Sequence, residues 1–509
     1  MNGPGTELTV GAVTRHYARV APAKCALYDG ERSLAYGEVD AMVDALASAL
    51  VRDGVARGDV VSAYLPNCID YIVVVLAVAR AGATFSPINP RYKAFEIAAI
   101  LRQARPRVVF TTTAEKASLA KAIADAAPIR PRVVLVDAID GDDSLRRMLA
   151  RAPDALPVVA EDDCFSLMFT SGTTGEPRGA LATHRARMLW VLNAAIQYGL
   201  TEDDVYLGTM PQVHSAGLTF TLMHLYAGAT VRILSHFDPA AFIDIVARER
   251  ITSALAVPTM LTMVVEALDQ AAAPLTLASL KRLVTCGSRL PLATKKRVLE
   301  KMTPRLYDYY GSTESNSMSV LRPADQLRKP DSVGQAFRNV ELMIANADGS
   351  ACAPNVVGEV CCVNPSLFIG YRDRPEDTQH AFFGRWYRTG DLGFLDDEGY
   401  LHLVGRSKDV VISGGINIYP AEIERVLMLH PDVLDAAVVG VTDEKWGQAV
   451  KAYLVLRKGA TMDLAEVQRH CAAHLADFKK PRSVEFREAL PKNAGGKTVK
   501  SALTEAAHA

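Results

Sequence analysis

The chain has 509 residues, of which 49% are hydrophobic and 22% are charged. This length exceeds what one hydrophobic core usually serves, so two or more domains are expected. The formal charge of −1, from 56 basic and 57 acidic residues, gives no support for a nucleic-acid partner or an anionic membrane surface.

The sequence shows neither a targeting segment nor a metal-like cysteine pattern, which favours an ordinary cytoplasmic protein. No hydrophobic run reaches the ~18 residues of a spanning helix, and YIVVVLAVA (71–79) has the length of a core helix. The N-terminal MNGPGTELTV lacks a basic and an apolar signal region. The eight cysteines are scattered without metal-like spacing, so neither zinc nor a disulfide framework is indicated.

The first part of the chain alternates strands and helices, which predicts a largely parallel sheet with helices on its faces. Residues 26–36 predict a β-hairpin around Asp29-Gly30. Val39, Val43, Leu46 and Leu50 recur at helical spacing before Gly54. The predicted buried strands are DVVSAYL, ATFSPI, RVVFTT and RVVLVD. The predicted helices between them cover residues 69–81, 95–102 and 114–126.

The residue composition of the chain changes after Tyr310. Glycines, prolines and aspartates surround short strands over 332–405, which predicts a β-rich subdomain. The last hundred residues predict a small α+β unit with helices over 421–429 and 463–475 and the strands DAAVVGV and KAYLVL. The fold class is therefore α/β: a large N-terminal domain of several subdomains with mixed and parallel sheets flanked by helices, followed by a small α+β domain.

The segment FTSGTTGEPRG (169–179) is the strongest local candidate for a phosphate loop. Glycines let backbone amides approach an anion, and Ser171, Thr173 and Thr174 add hydroxyl donors. The Walker pattern is excluded, because Pro177 stands where its second glycine would be and no lysine follows. By itself the segment is also compatible with a plain surface turn.

Four later motifs follow in order: YYGSTES (309–315), WYRTGDLG (386–393), GRSKDVVISGGINIYPAEIE (405–424) and PKNAGGKTVK (491–500). Together with the glycine-rich segment they resemble the adenylate-forming superfamily of acyl-CoA synthetases, adenylation domains and luciferases. The resemblance covers nearly the whole chain. It implies an N-terminal AMP-binding domain over 1–407 and a mobile catalytic domain over 408–509, with ATP, Mg²⁺ and coenzyme A as cofactors.

The implied reaction has two steps. A carboxylate attacks ATP to give an acyl-adenylate and pyrophosphate, and the thiol of coenzyme A then displaces AMP. The resemblance assigns catalytic roles to Lys497, Thr313, Glu314 and His214. It places around the nucleotide and coenzyme A the residues Thr170, Ser171, Gly172, Thr173, Thr174, Gly175, Arg178, Gly287, Ser288, Arg289, Tyr309, Tyr310, Gly311, Ser312, Thr313, Asp391, Arg406, Lys408, Gly414 and Gly415.

Within that set, the loop 170–175 with Arg178 is implied to hold the β- and γ-phosphates, where backbone amides and hydroxyls suit a leaving pyrophosphate. Tyr310 is implied to lie beside adenine and Thr313 near the α-phosphate. Glu314 is the implied magnesium ligand, a hard oxygen donor of the kind that Mg²⁺ prefers. Asp391 and Arg406 are implied to recognise the ribose hydroxyls.

The C-terminal residues imply a domain rotation. Lys497 is implied to lie between the substrate carboxylate and the α-phosphate, where a cation offsets the repulsion of two anions. Lys492 and Lys500 fit ordinary solvated lysines better. Lys408 is the implied hinge, although an exposed lysine without a hinge role is the alternative. Lys497 and the Gly414-Gly415 segment cannot both face the site at once, so the two half-reactions would alternate.

The segment 205–218 is implied to border the acyl pocket, with His214 as its gate. A core or helix-capping histidine is the alternative. Val213 stands where many relatives have an aromatic residue, and with Gly217 and Ser288 it predicts room for medium-chain, branched or aromatic acids rather than acetate. The segments 256–260 and 286–291 would line the acyl and adenine sites.

Two positions depart from the family pattern. Arg178 replaces the usual lysine of the phosphate loop. The positive charge is kept, but a planar guanidinium group takes the place of an ammonium group. Arg289 stands where a small residue or proline is common. It is either an ordinary adenine-side or solvent-facing arginine or the partner of a second polar group on the acid substrate.

Three functions remain open at this point. The leading one is a free-standing acid–CoA ligase. A stand-alone enzyme that loads a carrier protein is the closest alternative. A catalytically dead nucleotide-binding protein is disfavoured, because the charged residues that the resemblance places in the active site are all present: Glu314, Asp391, Arg406 and Lys497. The sequence is compatible with a homodimer and leaves the oligomeric state open.

Overall fold

A computed structural model describes residues 8–139, 141, 143–152, 154–171, 177–270, 277–414, 416–492 and 498–508. Its strands are β1 (Cys25–Tyr28), β2 (Ser33–Ala35), β3 (Val60–Tyr64), β4 (Thr84–Pro87), β5 (Val108–Thr111), β6 (Arg132–Leu135), β7 (Cys164–Ser171), β8 (Pro177–Thr183), β9 (Val205–Gly208), β10 (Thr230–Ile233), β11 (Ser253–Leu255), β12 (Arg282–Cys286), β13 (Leu306–Ser312), β14 (Asn316–Leu321), β15 (Gln335–Ala336), β16 (Glu341–Ala345), β17 (Gly358–Val363), β18 (Gly370–Tyr371), β19 (Phe382–Phe383), β20 (Trp386–Leu395), β21 (Leu401–Arg406), β22 (Val411–Ser413), β23 (Ile416–Ile418), β24 (Val433–Asp443), β25 (Gly447–Leu456) and β26 (Ser483–Phe486).

Its α-helices are α1 (Arg15–Val20), α2 (Tyr36–Arg52), α3 (Ile69–Arg80), α4 (Ala94–Ala104), α5 (Lys116–Asp125), α6 (Leu145–Leu149), α7 (His184–Tyr198), α8 (Ser215–Tyr226), α9 (Pro239–Arg248), α10 (Pro258–Gln270), α11 (Leu292–Lys301), α12 (Pro375–His380), α13 (Pro420–Leu427), α14 (Leu464–Ala472) and α15 (Lys500–His508). In the part of the chain that is described, none of these helices is both long and apolar enough to cross a membrane.

A seven-stranded sheet has the order β18-β8-β7-β4-β3-β5-β6. The four strands predicted from the early apolar runs are β3 to β6, and they pair in parallel as expected. Their connecting helices α3, α4 and α5 lie where helical periodicity predicts them. The sheet ends in an antiparallel pair, because β8 folds straight back along β7. Strand β8 was not predicted from the sequence.

A nine-stranded sheet has the order β15-β14-β13-β12-β11-β9-β10-β1-β2. Its centre is parallel, and both edges are antiparallel. The predicted hairpin forms the β1–β2 edge, with Leu27 opposite Leu34. Helix α3 is buried almost throughout, and its side chains share one hydrophobic core with residues of both large sheets. This agrees with an apolar segment of core-helix length.

The glycine- and proline-rich region contributes to three sheets rather than one. Five of its strands, β16, β17, β19, β20 and β21, form an antiparallel sheet of their own. Strand β15 instead extends the nine-stranded sheet, and β18 pairs with β8 of the seven-stranded sheet. This small sheet is therefore tied to both large sheets by short strands that periodicity alone does not reveal.

The C-terminal unit has its own five-stranded sheet, in which β24 and β25 form a long antiparallel hairpin with β24 at the edge. Strand β26 pairs in parallel with β25. Helices α13 and α14 cover this sheet with Ile423, Val426, Leu427, Val467 and Cys471. The α+β character predicted for this region is confirmed, and the boundary at residue 408 stays a prediction.

Candidate active site

The glycine-rich segment lies at the turn of a β-hairpin, between β7 and β8. Thr170 pairs with Arg178 and Ser171 with Pro177, so the two strands lead into and out of the turn. The turn itself, with Gly172, Thr173, Thr174 and Gly175, lies outside the described residues. Helix α7 begins at His184, with the Thr183 hydroxyl accepting a hydrogen bond from the Ala186 amide.

Glu314 lies beside this hairpin. Its Oε1 atom accepts hydrogen bonds from the Thr170 hydroxyl at 3.3 Å and from the Tyr371 hydroxyl at 3.1 Å. The side chain is nearly buried, and its backbone carbonyl accepts the Phe368 amide at 2.8 Å. The structure therefore joins two sequence motifs that are 144 residues apart.

Tyr371 is a site residue that the sequence analysis missed. Burial, with the Glu314 carboxylate as a further cause, raises its pKa well above the ordinary value, so its hydroxyl keeps its proton and donates to Glu314. The Arg178 guanidinium lies 5.7 Å from the centre of the Tyr371 ring, with its Nε 3.5 Å from Asp377. A glycine–tyrosine pair before charged residues is an ordinary turn signal, so the sequence offered little to single it out.

The turn between β13 and β14 holds Thr313 and Glu314. Ser312 and Ser315 exchange hydrogen bonds across it through backbone and hydroxyl groups. At Gly311 an added Cβ would lie 1.8 Å from the Asn316 carbonyl oxygen. Glycine is therefore required there, because the two strands approach too closely for any side chain.

Asp391 and Arg406, both implied to recognise the ribose, are direct partners in the β20–β21 ladder. The Arg406 Nε lies 3.0 Å from Asp391 Oδ1. The Tyr310 hydroxyl donates to the other carboxylate oxygen at 2.6 Å. The structure thus links Tyr310 to the Asp391–Arg406 pair, a contact that the sequence did not predict.

His214 precedes helix α8 and lines a cavity of about 60 Å³. The cavity is lined by Pro87, Asn89, Tyr92, Ile100, Met168, Phe169, Val213, His214, Ser215 and Thr313. Burial, and then the nearby Arg91, lowers the pKa of His214, which keeps the imidazole neutral. Its Nε2 is buried without a hydrogen-bond partner among the described residues.

Of the three residues predicted to give the acyl pocket room, Val213 lines this cavity, whereas Gly217 and Ser288 are not among its lining residues. A Cβ on Gly217 would lie 2.3 Å from the Pro211 carbonyl oxygen. Its small size therefore lets α8 pack against the preceding loop. Phe220 and Tyr309 stack with ring centres 6.0 Å apart in the neighbouring core. The preference for larger acids stays a prediction.

Arg289 follows strand β12 and the exposed pair Gly287-Ser288. Its guanidinium donates to Asp331. The other Asp331 oxygen lies 3.6 Å from Arg425 of helix α13. The positive charge of Arg289 is therefore matched by a carboxylate of the protein itself, which counts against its use as a receptor for substrate.

The C-terminal candidates are only partly described. Lys497 and Gly415 lie outside the described residues. Lys492 and Lys500, expected to be solvated, form ion pairs with Asp435 at 2.8 Å and with Glu424 at 2.7 Å.

The hinge candidate Lys408 is exposed, in a 3₁₀ turn between β21 and β22. Gly414 has a φ of +58°, and its amide donates to the Trp446 carbonyl.

This architecture, a mixed-sheet N-terminal part carrying the site and a small α+β C-terminal domain, is that of the adenylate-forming enzymes. The sequence pattern of the AMP-binding enzyme family matches residues 14–372, and that of the AMP-binding enzyme C-terminal domain matches residues 422–497. The chain belongs to the AMP-binding enzyme family.

Similar proteins cover almost the full chain. An indoleacetate–CoA ligase of Aromatoleum aromaticum is 35% identical over 497 residues, 96% of each chain. A 2-succinylbenzoate–CoA ligase of Geobacillus kaustophilus is 33% identical, again over 96% of each chain. The crystal structure of ATP-bound MatB from Rhodopseudomonas palustris superposes with a TM-score of 0.90 at 30% identity, covering 98% of this chain and 99% of that one.

Proposed function

We propose that this protein is an ATP-dependent acid–CoA ligase. The carboxylate oxygen of the acid attacks the α-phosphorus of ATP, and the bond to pyrophosphate breaks, which yields an acyl-adenylate. The sulfur of coenzyme A then attacks the acyl carbon, and AMP leaves. Family membership and the CoA ligase names of the similar proteins support this proposal.

One observation carries the proposal most directly. The five-residue segment from Tyr310 to Glu314 has a hydrogen bond to Asp391 at one end and hydrogen bonds to Thr170 and Tyr371 at the other. A diol-binding carboxylate and a phosphate loop thus flank one strand end. This order suits a nucleotide with its ribose at Asp391 and its phosphates at the β7–β8 hairpin.

In this proposal the hairpin and Arg178 stabilise the leaving pyrophosphate, because fixed donors act most strongly where charge grows in the transition state. The carboxylate of Asp391 accepts hydrogen bonds from both ribose hydroxyls. Lys497 lies between the substrate carboxylate and the α-phosphate, where its charge offsets their repulsion.

Glu314 fits a role as magnesium ligand. Both hydrogen bonds that its carboxylate accepts from the described residues go to Oε1. No group of three or more acidic, histidine or cysteine side chains suited to a metal occurs in the described parts of the chain. That fits Mg²⁺, which is usually held by one or two carboxylates together with substrate phosphates and water. A bound Mg²⁺ would neutralise phosphate charge and orient the phosphates.

The small domain is proposed to alternate about Lys408. Lys497 faces the site during adenylation, and the Gly414-Gly415 segment faces it during thiol transfer. Lys408 lies in a short exposed turn rather than in a ladder or a core, so a change of its backbone angles would disturb few contacts.

The test is a panel of carboxylic acids incubated with ATP and coenzyme A, with pyrophosphate and AMP release both measured. The proposal predicts that the two products appear in equal amounts and that AMP release depends on coenzyme A. AMP release only with an acyl carrier protein would support the alternative of a carrier-loading enzyme. Nucleotide binding without turnover of any acid would indicate a catalytically dead protein.

A further inference from the structure

A second arginine, outside every motif above, lies buried next to the acyl cavity. Arg187 is on helix α7, and its side chain is only 1% exposed. Its Nη1 donates to three neutral oxygens: Ser215 Oγ at 3.2 Å, Thr219 Oγ1 at 2.7 Å and Asn316 Oδ1 at 2.9 Å. Its Nε is buried and has no hydrogen-bond partner among the described residues.

No carboxylate in the described part of the chain forms an ion pair with Arg187, in contrast to other buried arginines. Arg80 pairs with Asp40 and Asp44, and Arg282 pairs with Asp204. Burial lowers the pKa of Arg187 to about 10, so the group still carries its charge at neutral pH. A buried charge without a counter-ion is costly and is usually paired.

The charge of Arg187 reaches the cavity through Ser215. Ser215 lines the cavity together with Val213 and Thr313. Its hydroxyl oxygen accepts from Arg187, and a hydroxyl group in that position retains its own proton for donation. The Ser215 hydroxyl thus lies at the cavity, and the Arg187 charge lies next to it. An anionic oxygen in the cavity would accept a hydrogen bond from this hydroxyl and offset that charge.

We propose that Arg187, acting with the Ser215 hydroxyl, determines the acid specificity of this enzyme by selecting substrates with a second carboxylate. The inference rests on the proposed function, since it takes this cavity as the acyl pocket. Arg289 does not fit this role, because Asp331 already neutralises it. The second carboxylate of the substrate would supply the counter-ion that Arg187 lacks.

The test pairs acids of three sizes, because the inference concerns the second carboxylate and not the length of the acid.

The experiment compares acids of matched shape: succinate with butyrate, glutarate with pentanoate, and 2-carboxyphenylacetate with phenylacetate. Wild-type kcat/KM is expected to favour the dicarboxylic member of at least one pair by about tenfold or more. Arg187→Met should lower kcat/KM for that acid by about 100-fold and leave its monocarboxylic partner within about threefold. Arg187→Lys keeps the charge, so its kcat/KM for the dicarboxylic acid should lie between those of the wild type and of Arg187→Met.

Two controls separate specificity from folding. Arg185→Met changes an exposed arginine on the same helix, which pairs with Glu161, and should leave every ratio unchanged. Ser215→Ala should reduce the dicarboxylate preference without removing the arginine. If Arg187→Met does not fold, the test of the proposal uses the dicarboxylate-to-monocarboxylate ratios of kcat/KM in the wild type and in Ser215→Ala. Equal losses on both members of a pair, or a wild type that prefers monocarboxylic acids, would overturn the proposal.

A binding measurement keeps this inference distinct from the proposed function. Titration calorimetry with the same acids and α,β-methylene-ATP requires neither turnover nor coenzyme A. Tighter binding of the dicarboxylic member, lost in Arg187→Met, supports the inference even where no thioester forms. Turnover with coenzyme A but no discrimination in either assay supports the proposed function and rejects the role of Arg187. Absence of both turnover and acid binding rejects the two proposals together.

Discussion

Arg178 shows how a single residue acquires a role from its neighbours. Its guanidinium lies over the Tyr371 ring and near Asp377, and Tyr371 in turn donates to Glu314. The planar guanidinium group therefore contacts an aromatic face, and the ammonium group of a lysine makes this contact less well. Arg178 thus connects the β7–β8 hairpin, through Tyr371, to the turn that carries Glu314.

We expect Arg178→Lys to raise KM for ATP by about three- to tenfold, because the charge remains but the stacking on Tyr371 is weakened. Arg178→Met should raise it by about 100-fold, since the charge near the phosphates is lost as well. Pyrophosphate release at varied ATP concentration measures both. A lysine variant as impaired as the methionine variant would show that stacking, rather than charge, dominates.

At the scale of elements, the β13–β14 hairpin organises the site. Its turn carries Thr313 and Glu314, its first strand carries Tyr310, and its second begins at Asn316, which has a φ of +55° and accepts from Arg187. The residues proposed to contact the nucleotide and the acid thus belong to this hairpin or are hydrogen-bonded to it. A change in its backbone is expected to affect both.

Gly311→Ala tests this arrangement. The added methyl group would lie 1.8 Å from the Asn316 carbonyl oxygen, so the strands must separate. We expect a loss of about 1–3 kcal/mol in the free energy of unfolding and a fall of at least about tenfold in kcat, measured by denaturant unfolding and pyrophosphate release.

The control for this substitution is Gly208→Ala in the same sheet. No atom outside its neighbouring residues lies closer than 3.5 Å to the added methyl group, so the free energy of unfolding should stay near wild type. A Gly311→Ala enzyme with unchanged kcat would show that the turn does not need this close strand approach.

At the scale of the whole molecule, buried histidines make stability depend on pH. Burial lowers the pKa of His184 and of His224 to about 4. His224 hydrogen-bonds the Phe220 carbonyl and Ser253, and it stacks on Tyr206 at 4.1 Å. Both are therefore neutral in the folded protein, whereas the unfolded chain protonates them near pH 6.5.

This difference predicts a stability that is complete above pH 6.5 and is lost as the pH falls toward 4. The unfolded state binds more protons in that window, and each histidine accounts for up to about 3 kcal/mol. Denaturant unfolding from pH 7.5 to 4.5 measures the slope. His224→Gln should reduce the slope of the free energy of unfolding against pH by about one proton. His236 is exposed, so His236→Gln should leave this slope unchanged. An unchanged slope in His224→Gln would contradict the assignment.

The two-domain organisation carries the last prediction. Lys497→Ala should abolish adenylation and largely spare thioester formation from supplied acyl-adenylate, because the lysine is proposed to serve only the first half-reaction. Pyrophosphate release measures the first step, and AMP release from acyl-adenylate measures the second. The ion-paired Lys492 provides the control, since Lys492→Ala removes a contact with Asp435 and should spare both steps. Full adenylation by Lys497→Ala would refute the assigned role.

The sequence by itself determined the fold class, the parallel strands β3 to β6 with their helices, the α+β character of the C-terminal unit and the membership of the AMP-binding enzyme family. Hydrophobic periodicity and turn residues are local properties, and ordered motifs remain readable along the chain. The resemblance also assigned Asp391 and Arg406 to one ribose site, and the β20–β21 ladder makes the two residues direct neighbours.

The contacts of Tyr371 with Glu314, of Tyr310 with Asp391 and of Arg289 with Asp331 follow from the tertiary structure alone, as does the burial of Arg187 without an ion-pairing carboxylate among the described residues. These three contacts join residues between 42 and 81 positions apart. Their partners are chosen by sheet order and by which side chains become buried together. Burial and pairing of charges are properties of the packed molecule, which no local pattern in the chain records.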